Sequence, residues 1–153
     1  MQKETQKIYS IKEILHEKGV YIGPTVGISM LPMLKERRDT IVVKAKTQRL
    51  KPLDVALYCV NDTYVLHRVI SVKNDGYLIR GDNCYSNEFV LEEQVLGVLT
   101  EFFHKDVHYF CTDEKYLRYA KKRVKYHKIR RFFVVLKSKF VALGKKIIKP
   151  LKK

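Results

Sequence analysis

The apolar positions of this chain follow three patterns in turn. Residues 10–19 carry a short helical pattern with its own punctuation: Ser10 stands as the cap, Glu13 completes a capping box, Ile11, Ile14 and Leu15 form one apolar face, and Gly19 ends it. A series of β-type runs follows, at Thr40–Lys44, Leu53–Val60, Thr63–Val72, Tyr77–Arg80, Val95–Phe103 and Val107–Cys111. Asn61-Asp62 and Asn74-Asp75-Gly76 separate three of them, and both carry hairpin-turn chemistry. Short strands joined by tight turns predict a mainly β fold, an antiparallel and partly closed sheet. No βαβ alternation and no internal repeat is visible.

From Thr112 the pattern becomes helical again. Thr112 or Asp113 can cap it, and Ile129, Phe133, Leu136, Phe140, Leu143 and Ile147 recur at spacings of four and three. Gly144 and Pro150 weaken or end this stretch, and a break near Tyr126 to Arg130 predicts two helices. The expected organisation is an N-terminal helix (1–20), a β-domain (21–112) and a basic amphipathic helical tail (113–153).

Charge sharpens that division. Of the net +15, none belongs to the body: residues 1–113 hold 15 Lys/Arg and 15 Asp/Glu, whereas residues 114–153 hold 16 Lys/Arg and only Glu114. So basic a segment implies an acidic partner, either an anionic membrane surface met by residues 115–153 or, as the lesser alternative, nucleic acid. At 153 residues the chain is long enough for one domain with a real core. The N-terminus has no signal-peptide pattern, and the apolar run Phe132–Leu136 is far short of the ~20 residues of a membrane span. Three widely spaced cysteines, Cys59, Cys84 and Cys111, suggest a reducing compartment and offer neither a disulfide framework nor metal-ligand spacing. The expected location is cytoplasmic, peripheral at the inner membrane face, and no cofactor or metal is expected.

Candidate chemistry centres on Gly27-Ile28-Ser29-Met30-Leu31-Pro32. Gly27 lets the backbone bend and Pro32 forbids a regular element from continuing, so Ser29 is expected on a shaped turn with its hydroxyl presented. Taken alone, a turn serine bonding its own backbone is the better explanation of an arbitrary Gly-x-Ser. The longer series is more specific: Gly-x-Ser-Met-x-Pro, then Lys51-Pro52-Leu53-Asp54-Val55, His67-Arg68-Val69-Ile70 and Arg80-Gly81-Asp82-Asn83. In this order the motifs resemble those of the signal peptidase and LexA-type repressor (S24/S26) serine peptidases, over roughly residues 22–100. The resemblance implies Ser29 as nucleophile, His67 as general base and Asp82 as third residue. A histidine base resembles the archaeal and endoplasmic-reticulum branch; bacterial signal peptidases and LexA-like repressors use lysine.

Turn geometry gives the constellation a basis independent of the family. Pairing about residues 74–76 sets residue 67 near residue 83, so Asp82 is expected to accept the His67 imidazole N–H and fix its tautomer. A histidine base, with an unperturbed pKa of about 6.5, is competent near neutral pH. The Ser29 backbone N–H is the expected oxyanion donor, with Gly27, Met30 and Pro32 in the oxyanion and substrate groove. Lys44 and Lys73 are rivals for the base, but their positions predict solvated side chains. His16, His104, His108 and His127 show no pairing in the sequence, and Cys84 stands in the loop beside Asp82. The family binds its substrate, here a peptide or protein precursor losing a signal or leader segment, as an added strand. The alternative is a LexA-like regulatory or self-processing protein, or an inactive homologue, with its tail on nucleic acid; the short N-terminal segment, too small for a helix-turn-helix, speaks against it.

Overall fold

The structure is a computed structural model that describes residues 9–134 and residue 136. Eight antiparallel strands form one curled, half-barrel sheet in the order β1-β2-β7-β3-β4-β5-β6, with β8 paired to β7. The strands are β1 (Val20–Pro24), β2 (Asp39–Ala45), β3 (Val55–Val60), β4 (Thr63–Val72), β5 (Gly76–Arg80), β6 (Glu88–Leu91), β7 (Val95–His104) and β8 (Val107–Phe110). Helix α1 (Ile11–Lys18) precedes them and α2 (Glu114–Lys125) follows. The mainly β, partly closed sheet is the fold class the apolar pattern predicts. No helix among the described residues is long and apolar enough to cross a membrane.

Local chemistry accounts for the element ends. Ser10 and Glu13 form the reciprocal capping box of α1, and Gly19, at φ 71, ends the helix in the left-handed conformation. Asn61 and Asp62, at φ 47 and 58, are the two central residues of a tight hairpin between Val60 and Thr63, the type I′ geometry that matches the twist of its strands. β3 begins at Val55, two residues later than the apolar run suggests. Leu53 sits at φ 83, inside a turn closed by Lys51 N–H on the Asp54 carboxylate at 2.8 Å, and that conformation cannot continue a strand.

The two faces of the sheet carry separate cores. On one, Leu15 of α1, Met30, Met33 and Leu34 of the loop after β1, and Tyr116 and Ala120 of α2 pack on Ile41, Val43, Val55, Leu57, Leu99 and Phe102. On the other, Ala56, Tyr58, Val69, Tyr77, Ile79 and Val90 pack together. The start of the basic tail thus shares its core with the β-domain, because Tyr116 and Ala120 supply an apolar stripe to a helix whose other faces are cationic. α2 ends at Tyr126, and residues 127–134 form a further helical segment. The expected apolar positions Phe140, Leu143 and Ile147, and residues 1–8, lie outside the described residues.

The loop that carries Ser29 is held from behind by Asp39. This carboxylate, 2% exposed, accepts from the Lys35 N–H at 2.7 Å and from Arg38 at 2.5 and 2.7 Å, and meets His104 Nδ1 at 3.1 Å. Its backbone carbonyl receives the Thr25 N–H at 3.1 Å. Charge-assisted bonds of this kind are roughly twice as strong as neutral ones, so the loop is closed at its base.

Candidate active site

Ser29 lies on the turn its neighbours predict. Gly27 adopts φ 81, a conformation strained for any residue with a side chain, and bonds from Leu31 N–H to Ile28 O (3.2 Å) and Leu34 N–H to Met30 O (3.0 Å) wind the chain onward. The Ser29 hydroxyl and backbone N–H bond no described residue. Its carbonyl is fixed by the Asn83 N–H at 2.7 Å, and Asn83 Nδ2 donates to the Ile28 carbonyl at 3.2 Å. The winding also carries Pro32 away from the groove. It is exposed and lines no part of the cavity, whereas Gly27 and Met30 do.

His67 stands in β4 opposite Ala56 of β3, 6% exposed. Its Nδ1 lies 2.8 Å from Glu88 Oε1 and 3.0 Å from the Tyr58 hydroxyl. Burial, with Glu88 adding to it, raises the Tyr58 hydroxyl well above its ordinary pKa, so the phenol keeps its proton and donates to Glu88 Oε2 at 3.0 Å. The network then assigns the ring proton to Nδ1, directed at Glu88, and leaves the Nε2 lone pair free. Nε2 faces the α-carbon of Gly81. A methyl group built there would stand 2.9 Å from Nε2, 2.7 Å from the Ser29 carbonyl oxygen and 2.8 Å from Cys84 Sγ. Glycine at 81 is therefore what allows the serine loop and the histidine to approach. Burial lowers the His67 pKa, and the Glu88 and Asp82 charges offset only part of that, so the imidazole is neutral at pH 7.

Asp82 does not take the role expected of it. Both oxygens accept from Arg68, at 2.8 Å each, and Oδ2 also accepts from the Tyr119 hydroxyl at 3.0 Å. The reason is register. The β4–β5 hairpin starts as Val72 opposite Tyr77, but a bulge between Val69 and Ser71 moves the pairing to Arg68 opposite Arg80. Gly81 thus continues the ladder opposite His67, and Asp82, one residue further, points to the face of Arg68. A one-residue slip changes the face of every side chain.

Arg68 is fully buried and draws four segments together. It holds Asp82, the Leu53 carbonyl (2.9 Å), the Tyr116 hydroxyl of α2 (3.0 Å) and Met33 Sδ (3.2 Å). Arg123 of α2 extends this network to the Tyr119 hydroxyl (3.2 Å) and the Leu31 carbonyl (2.9 Å). The beginning of the tail therefore clamps the loop that carries Ser29.

Sequence reasoning missed Glu88 and Gly81's packing role. β6 is a short edge strand in which only Val90 is buried, so it shows no alternation to read. The rivals fare as expected: Lys44 and Lys73 are exposed. His104 and His108, by contrast, are each paired with a carboxylate, Asp39 and Glu101 (2.8 Å), across strands the sequence does not align. All three cysteines are free, and burial raises the Cys84 thiol pKa.

A groove of about 670 Å³ leads to the pair. One wall is Tyr21, Pro24 and Val26; the other is Thr63–Leu66 of β4; Met30, Leu34 and Leu57 form its apolar floor. Two strand edges border it. Among the described residues, β1 pairs only with β2, and β4 has no partner on the β5 side before Arg68. Val69 exchanges bonds with Leu53 and Asp54 on the β3 side, so by alternation the main-chain groups of Leu66 and Tyr64 face the open side. No protein-family model matches the chain, and no curated protein matches it significantly.

Proposed function

We propose that the chain is a serine endopeptidase of the signal peptidase and LexA-type superfamily, cleaving a signal or leader segment from a peptide precursor. The observation that carries this reading is the orientation of His67: Nδ1 is engaged by Glu88 at 2.8 Å while Nε2 is free beside the Ser29 backbone. A neutral, oriented imidazole and an unbonded serine hydroxyl lining the same groove are the components nucleophilic acyl transfer uses.

In this reading the substrate lies extended in the groove and adds to the open edge at Tyr64 and Leu66. Ser29 Oγ attacks the scissile carbonyl and its proton passes to His67 Nε2. The unbonded Ser29 N–H donates to the developing oxyanion. The imidazolium, stabilised by Glu88, returns the proton to the leaving amine. Water then repeats the sequence on the acyl-enzyme, with His67 again as base, and frees the serine.

The anionic membrane surface remains the proposed partner of the tail. Its support is the exposure of Tyr126, Ile129, Phe132, Phe133 and Leu136 on the same segment as Lys128 and Arg131, a combination suited to the headgroup boundary. Failure of anionic liposomes to sediment the protein at low salt would remove that partner. The peptidase itself is tested by mass spectrometry of new peptide N-termini in host cells expressing the wild type or Ser29→Ala. Termini that depend on Ser29 are expected; identical sets in the two cultures would overturn the reading.

A further inference from the structure

Around the loop that follows Gly81 stand cations that the peptidase reading leaves unused. Arg80 ends β5 and is 7% exposed, yet its guanidinium bonds one described partner, Asn87 Oδ1 at 2.8 Å. Arg130, in helix 127–134, donates to the Cys84 carbonyl at 3.3 Å and lies over the Tyr85 ring at 5.2 Å. His127, one turn earlier, has its ring centroid 6.3 Å from that of Tyr85, and its Nδ1 is buried with no hydrogen-bond partner among the described residues.

These groups meet around the loop 84–87 without an ion-paired carboxylate among the described residues. Neither Arg80 nor Arg130 forms an ion pair with an acidic side chain among the described residues. Asp82 is close enough to act on Arg80, but Arg68 and Tyr119 already occupy both of its oxygens. The cations also act against one another. Burial and then Arg130 lower the pKa of Arg80 with Asp82 opposing them, and burial, Arg80 and Arg130 lower that of His127 against a backbone bond with Tyr85. Partly buried like charges are unfavourable until an anion joins them.

We propose that Arg80, His127 and Arg130 form a binding site for a compact oxyanion, a phosphate or a carboxylate, that pins helix 127–134 to the loop behind Ser29. Guanidinium groups match such ligands with paired N–H donors, and the orphaned imidazole nitrogen supplies a further contact. Asn83 of that loop holds the Ser29 carbonyl at 2.7 Å, and Gly81 lets it approach His67. The bound anion therefore stiffens the support of the candidate active site. Its source is either a phosphate group or an acidic side chain of a bound peptide.

The test is thermal unfolding of the full chain at fixed ionic strength in chloride, inorganic phosphate or succinate, a readout independent of the peptidase reading. Wild type and the control Lys121→Gln, an exposed cation elsewhere on α2, are expected to gain about 3 °C in phosphate or succinate at roughly ten times Kd. Arg80→Gln and Arg130→Gln are expected to lose that gain. A response to phosphate alone assigns a phosphate ligand, to succinate alone a carboxylate, and to both the shared oxyanion chemistry. Equal gains in all four proteins, which would mean diffuse screening of the tail, or no gain in any, would overturn the site. Arg130 lies on the surface helix, so its variant keeps the test decisive if Arg80→Gln does not fold.

Discussion

His67 and Arg68 are neighbours on β4, and each meets a carboxylate, yet they do opposite work. His67 points to the face of Tyr58 and Val69, where Glu88, its side chain 45% exposed, reaches it from the sheet edge. Arg68 points to the face of α2, and its pair with Asp82 is sealed, with side chains 1% and 2% exposed. Burying two charges costs several kcal/mol each before their attraction is counted, so such a pair holds only with its remaining donors satisfied, as Leu53, Tyr116 and Met33 satisfy Arg68. A sealed pair cannot exchange protons with a reaction. The half-open one can, because Glu88 opens the pair to solvent and its charge opposes the lowering of the imidazole pKa by burial. On the proposed reading, one strand thus separates anchorage from chemistry by the alternation of its side chains.

That contrast is open to direct attack. The largest effect is expected at His67: His67→Ala should lower kcat/KM at least about 10⁴-fold by removing the base, while its unfolding midpoint in urea moves little. A large loss of stability with partial activity would reverse the roles assigned to the two residues. Arg68→Met should act on folding instead, costing about 3–5 kcal/mol in denaturant titration because Asp82 is left buried and unpaired. The double variant Arg68→Met/Asp82→Leu should recover most of that loss; if it does not, the pair contributes more than its own charge balance.

Glu88→Gln should lower kcat about 10²-fold, since an amide can leave the imidazole in the wrong tautomer. It should also move the acid limb of the pH–rate profile further down, because the Glu88 charge raises the His67 pKa. Gly81→Ala should disturb activity more than stability, as its methyl would press on the Ser29 carbonyl and His67 Nε2 together. The smallest effect concerns pH and folding. His67 has a pKa lowered in the fold, so its share of stability is complete above its ordinary value of about 6.5 and is lost as pH falls toward the folded value. Comparing urea midpoints at pH 7.5 and 5.5 for wild type and His67→Ala isolates that share; identical shifts would place the titration elsewhere.

Much of this protein was legible along the chain. Ser10, Glu13 and Gly19 fix α1 through bonds among near neighbours, and Asn61-Asp62 fixes a hairpin because few residues tolerate its two positive φ angles. The turn at Ser29 and the place of His67 within a strand follow from glycine, proline and alternation, all of them local. The tail's apolar stripe reads as amphipathic, but whether it packs or waits for a partner depends on the sheet it meets.

The partner of His67 was decided elsewhere. A single bulge at Ile70 shifts β4 against β5, and no residue type there announces it. That shift gives Asp82 to Arg68. Glu88 comes from an edge strand whose sequence has no period, and reaches His67 only because β5 and β6 pair across a curled sheet. Local chemistry therefore set the turns, the helix ends and the strand that bears the histidine. Which carboxylate stands behind that histidine is a property of strand register, which is summed over the whole sheet and lies in no one stretch of sequence.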